Sequence, residues 1–138
     1  MNWMFVMVVG ALAVACGNNG DSGDAPPPHA REAVTDGGTW TVAYTPSPDP
    51  IPGNAEFALD ITIDDAAGPA AGTSIVLTAE MPAHGHGMNV TPVVTGEDGL
   101  FRADGMLFHM TGEWRMYVDV TGETGTETAE LWVTCCES

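Results

Sequence analysis

Short runs of alternating apolar and polar residues, cut by Gly and Pro, recur through most of this chain, and that alternation constrains its fold more than any other feature. Trp40, Val42 and Tyr44 alternate with Thr41 and Ala43. Phe57, Leu59, Ile61 and Ile63 alternate with polar neighbours, and Ile75, Leu77 and Ala79 follow beyond a turn over residues 67–72. Two shorter runs, 90–95 and 100–103, flank the turn Gly96-Glu97-Asp98-Gly99. Trp114, Met116, Val118 and Val120 make the clearest late run, and Ala129, Leu131 and Val133 the last. A period of two is the repeat of a strand with one buried face. The 17 Gly and 10 Pro supply the turns. No helical periodicity and no internal repeat interrupts the pattern.

About seven short strands with turns between them predict an all-β domain, an immunoglobulin-like antiparallel β-sandwich, with a small barrel as the alternative. The last two strands can be set in register. If the turn Gly122-Glu123-Thr124-Gly125 closes symmetrically, Thr121 faces Thr126, Val118 faces Ala129, Met116 faces Leu131 and Trp114 faces Val133. A slip of one residue would bury Glu130 in place of these apolar pairs, so one register is strongly preferred. Continued, the same register sets Gly112 opposite Cys135 and Thr111 opposite Cys136.

The N-terminal part reads differently. Residues 3–15, WMFVMVVGALAVA, are apolar but shorter than the roughly 20 residues a membrane-spanning helix needs. They end in Ala13-Val14-Ala15 before Cys16, a pattern that resembles the lipobox of bacterial lipoproteins. That resemblance implies a signal peptide over 1–15, diacylglyceryl attachment at Cys16 and cleavage before it. Residues 17–38, rich in Gly, Asn, Asp, Ser and Pro, cannot bury enough apolar surface to offset their ordering entropy. A disordered, lipidated tether over 16–38 and a folded domain over 39–136 are expected, with acyl chains as the membrane anchor. Gly17 stands where an inner-membrane retention signal would carry Asp, which favours an outer-membrane protein facing the periplasm.

The chain carries 19 Asp and Glu against three Arg, a net charge of −16. Such a surface repels nucleic acid and anionic headgroups, so neither is an expected partner. Acidity of this degree also suits a salty habitat and says little about activity. No Ser-His-Asp arrangement, HExxH, phosphate loop or GxSxG is present, and a binding module is expected, not an enzyme.

Two segments concentrate unusual side chains: MPAHGHGM over 81–88, and MLFHM over 106–110 followed by TGEW. Three of the four His lie here, with Met81, Met88, Met106 and Met110. Imidazole and thioether ligands suit Cu(I), and Met holds its ligand character without a charge. Gly85 and Gly87 let the backbone bend until His84, His86 and Met88 converge. Clustered carboxylates, the ligands of Ca²⁺ or Mg²⁺, are missing from both segments. The candidate metal ligands are therefore His84, His86, Met88, His109 and Met110, with copper as the cofactor. Against this stands ordinary packing: Met81 and Met106 as core fillers, Phe108 and Met110 pointing inward, His84 capping its loop, and Met116 on the core face.

The run MPAHGHGM, then a strand and a turn, then FHMTGEW opening another strand, resembles the YtkA-like domain family over about residues 39–134. Its motif positions here are Met81, Pro82, His84, Gly87 and Met88, then Phe108, Met110, Gly112 and Trp114. The resemblance implies a small secreted or lipid-anchored β-sandwich of the bacterial envelope. It implies little about activity.

Cys135 and Cys136 are the remaining thiols. Adjacent cysteines can close on each other, in a strained and therefore easily reduced ring, or serve as soft ligands beside His109 and Met110. A solvent-exposed tail without a role is the third reading. The sequence thus describes an envelope lipoprotein binding module, with copper(I) as the leading ligand. Its alternative is an accessory domain that binds an envelope protein and no metal.

Overall fold

The computed structural model describes residues 30–136. Cys16, the signal peptide and most of the tether lie outside the described residues. Within them the chain is all-β. Ten strands follow one another: β1 (Glu32–Val34), β2 (Thr41–Ser47), β3 (Glu56–Asp65), β4 (Gly68–Pro69), β5 (Ser74–Met81), β6 (His86–Gly87), β7 (Val93–Glu97), β8 (Leu100–Leu107), β9 (Gly112–Gly122) and β10 (Gly125–Cys135). They form two antiparallel sheets facing each other as a sandwich. One has the order β1-β2-β3-β8-β7, with β4 paired to β3, and the other β10-β9-β5-β6.

The expectation of about seven strands holds for the long ones; the additional three are short. β4 and β6 have two residues each, and their apolar content carries no alternation to read. β1, over 32–34, falls inside the segment expected to be a tether. Polar groups hold this stretch, which hydropathy does not register. Asp36 N–H donates to the Thr128 carbonyl and Thr128 N–H to Asp36 Oδ1. The buried Thr35 hydroxyl meets the Trp40 carbonyl and Glu127.

The β9–β10 register is the one the hairpin turn dictates, from Thr121 opposite Thr126 through Trp114 opposite Val133 to Gly112 opposite Cys135. At the other hairpin Asp98 (φ 52) and Gly99 (φ 80) make a two-residue turn whose left-handed residues match the strand twist. β7 begins at Val93 and not at residue 90, because Pro92 has no N–H to give a ladder.

The inner faces supply one core. From the first sheet come Val42, Leu59, Ile61, Ile63 and Ala103; from the second, Trp114, Met116, Val118, Val120 and Leu131, all almost fully buried. β8 changes phase partway along. Phe57 pairs with Met106 but Leu59 pairs with Ala103, so β8 carries one extra residue, with Gly105 at φ 77. A bulge of this kind resets which side chains point inward. Phe101 and Ala103 are buried before it, Met106 and Phe108 after it. That shift aims the end of β8, and the segment after it, at one pole of the sandwich.

Candidate metal centre

The first arm of the site grows from the end of β5. The Met81 carbonyl accepts hydrogen bonds from His84 N–H (3.1 Å) and Gly85 N–H (3.0 Å), and Gly85 closes the turn at φ 67. The chain then returns along β5 as β6, with His86 opposite Met81 and Gly87 opposite Glu80. Gly87 is needed for its size: a Cβ there would stand 3.1 Å from the Ala79 carbonyl oxygen. Met88 N–H ends the arm on that same carbonyl, at 3.3 Å. Gly85 thus serves by its conformation and Gly87 by close approach to the neighbouring strand.

The second arm is the segment between β8 and β9. Phe108 is fully buried and stacks on Trp114, with centroids 4.6 Å apart and planes 10° from parallel. Its other neighbour is Phe57, edge-on at 5.1 Å. Trp114 Nε1 donates to the Met110 carbonyl at 3.0 Å, which fixes the short connection into β9. Asn54 N–H donates to the Phe108 carbonyl and ties the loop after β2 to the same strand end. An aromatic floor therefore lies under His109.

The two arms meet through their histidines. The His84 and His86 rings have centroids 5.8 Å apart, and His86 and His109 are 5.1 Å apart. Trp114 lies 6.1 Å from His86 and 5.6 Å from His109, steeply inclined to both. His84 is exposed, whereas His86 and His109 are half-buried. His86 is thus the ring that neighbours both of the others. Among the described residues no group of three or more His, Cys, Asp or Glu is placed to hold a metal ion.

Two hydrogen-bonding details distinguish the central pair. His86 Nδ1 lies 3.1 Å from the Gly87 carbonyl, which can only accept, so Nδ1 is the donor in that contact. His109 Nδ1 is buried without any hydrogen-bond partner. Buried polar atoms are rarely left unpaired, so this nitrogen calls for an explanation.

The methionines divide into two groups. Met81, Met106 and Met116 are buried core residues, as their packing reading expected. Met88 and Met110 are partly buried and pack against the core from outside. The cysteine pair sits at this same pole. Cys135 is 3 % exposed and bonded to Cys136, which also packs against the core. The exposed-tail reading of these residues is therefore wrong: β10 runs to Cys135 and its pairing with β9 seats the thiols in the fold. Sequence reading missed Trp114 and Phe108 as the floor of the site, because in an alternating strand a buried aromatic reads only as core.

A family model described as YtkA-like matches residues 34–119, well over half of the chain. Both arms, from Met81 to Met88 and from Met106 to Trp114, fall inside that span. No significant match is found among curated proteins or among solved structures.

Proposed function

This chain belongs to the YtkA-like family, a small envelope-associated β domain, and on that premise we propose that it is a lipid-anchored module that binds Cu(I) at the His/Met pole. His86 and His109 are the central ligands. Met88 and Met110 supply thioethers from the rim, and His84 supplies a third imidazole from the exposed end of the row. The observation that carries this reading is the buried Nδ1 of His109, without a hydrogen-bond partner, in a ring whose centroid is 5.1 Å from that of His86. Two imidazoles with soft thioethers make a ligand set that favours Cu(I) over hard divalent ions. Diacylglyceryl attachment at Cys16 anchors the module, facing the periplasm from the outer membrane. Its role is binding and not catalysis.

Competition against a chromophoric Cu(I) chelator tests the reading. Wild type should withhold one copper from the chelator, and a His86→Ala, His109→Ala variant should lose at least about tenfold in affinity, the scale on which metal sites respond to lost support. Equal, weak retention by both proteins would overturn it. That result would leave the rival reading, a protein-interaction domain that binds no metal.

A further inference from the structure

Along one side of the sandwich, β1 of the first sheet runs beside β10 of the second. β1 bonds β2 through alternate residues. The Arg31 carbonyl accepts from Tyr44 N–H and Thr35 N–H donates to the Trp40 carbonyl, on either side of the Ala33–Val42 pair. In an antiparallel ladder the residues between these turn their main-chain groups the other way, so Glu32, Val34 and Asp36 face away from β2. On β10, Thr128 faces away from β9 and meets Asp36. Asp36 N–H donates to the Thr128 carbonyl at 2.9 Å, and Thr128 N–H to Asp36 Oδ1 at 3.0 Å. The β9–β10 register runs unbroken to Cys135, so Glu130 and Trp132 face away from β9 as well. Past the Asp36–Thr128 contact the pairing stops, and β1 and β10 form no ladder. Among the described residues no hydrogen bond reaches the outward main-chain groups of Glu32, Val34, Glu130 or Trp132. A groove of about 430 Å³ opens there, with Ala33 and Val34 on one wall and Tyr117, Thr128 and Glu130 on the other.

An open strand edge beside a groove is a place for another strand, and charge selects its chemistry. Glu32, Asp36 and Glu130 line the groove and are exposed. The three Arg are engaged: Arg31 with Asp49, Arg102 with Asp60 and Asp104, and Arg115 with Glu130. Glu32 and Asp36 therefore have no cationic partner among the described residues. A second copy would bring another −16 of charge to this rim. The chain's own residues 17–30 bring Asp21, Asp24 and three consecutive Pro over 26–28, which have no N–H for a ladder. We propose, independently of the copper reading, that the groove takes an extended basic segment of a partner protein, added as a strand to the open edge of β10. Its main chain bonds Glu130 and Trp132, and β1 forms the opposite wall. Lys or Arg at alternate positions reach Glu32, Asp36 and Glu130, while aliphatic residues between them meet Tyr117 and Val34, which is 59 % exposed.

The test uses the full chain with Cys16→Ser and a synthetic peptide of alternating Lys and Val, capped at both ends. Fluorescence anisotropy of the labelled peptide reads the affinity, and backbone amide shifts of the isotope-labelled protein read the place. The peptide should bind, shift the amides of Glu130 and Trp132, and bind more weakly as salt rises. The same peptide with every backbone amide N-methylated keeps its charge and loses its donors, and should bind at least about tenfold more weakly. A peptide of alternating Glu and Val should not bind. Glu32→Lys changes an exposed side chain outside the β1–β2 ladder bonds, and should weaken binding of the Lys peptide at least about threefold. No binding of the Lys peptide would overturn the proposal. So would equal binding of the N-methylated or the Glu peptide, equal binding by Glu32→Lys, or amide shifts confined to residues outside the groove. Self-association of the protein alone, with the Glu130 and Trp132 amides shifted, would overturn it too, by showing that a second copy fills the groove.

Discussion

At His109 a ring nitrogen is shut away from solvent and from every hydrogen-bond partner. A buried polar group left unpaired costs about 1–3 kcal/mol. His109→Phe keeps a planar ring on the Trp114 floor and removes the nitrogen. Its urea midpoint should therefore equal or exceed that of wild type, while Cu(I) retention falls at least about tenfold. A midpoint loss of more than about 1 kcal/mol would show that His109 is held by packing its ring shape and not tolerated for its nitrogen. The turn before it makes a second test. Gly85 sits at φ 67 with open space around its Cβ position, so Gly85→Ala should cost only the left-handed penalty, about 1 kcal/mol in chemical denaturation. Gly112 stands at φ 134 with the Met81 methyl in its way, so Gly112→Ala should cost more, about 1–3 kcal/mol, in the same measurement.

At the scale of elements, the site depends on strand ends being aimed at one pole. Phe108 holds the second arm by lying between Phe57 and Trp114. Phe108→Ala should destabilise the fold by about 3–5 kcal/mol, read from the urea midpoint, and should weaken copper retention through loss of the His109 floor. How far such elements could be read in advance varied with the interaction that sets them. The β9–β10 hairpin was legible to the residue, since a symmetric turn and three apolar pairs leave one register, and it seated Gly112 opposite Cys135. Gly85 was legible as a point where the loop bends, and it stands at φ 67. The β8 bulge was not: Gly105 reads as a flexible position, and only the paired strand reveals that Leu59 and Phe57 count differently from Ala103 and Met106. β1 was hidden for another reason: its ladder with β2, and the hydrogen bonds that Thr35 and Asp36 just beyond it make to β10, are polar contacts that hydropathy does not record. The three histidines lie between those cases. They were named from the sequence, but the spacing of their rings depends on tertiary packing.

For the whole molecule, two properties bear on stability and one on function. Burial raises the Tyr44 phenol above its ordinary pKa, with Arg31 opposing, and burial raises Tyr117 as well. A raised phenol pKa means the fold favours the neutral form. That stability is complete below the unfolded value near pH 10 and is lost as pH rises through the higher folded values. The urea midpoint should thus hold steady to about pH 9 and fall above about pH 10, and Tyr44→Phe should reduce the fall. The net charge of −16 adds self-repulsion that salt screens, so the midpoint at neutral pH should rise with ionic strength. The functional property is the one we propose, copper held by thioethers and imidazoles at one end of the sandwich. X-ray absorption at the copper edge tests it most directly, on the full chain carrying Cys16→Ser, Cys135→Ser and Cys136→Ser and loaded with Cu(I). With no thiol left, any sulfur bound to copper must come from methionine. The account predicts copper retained with both imidazole nitrogen and sulfur in its coordination shell; copper absent, or bound by light atoms without sulfur, would contradict it.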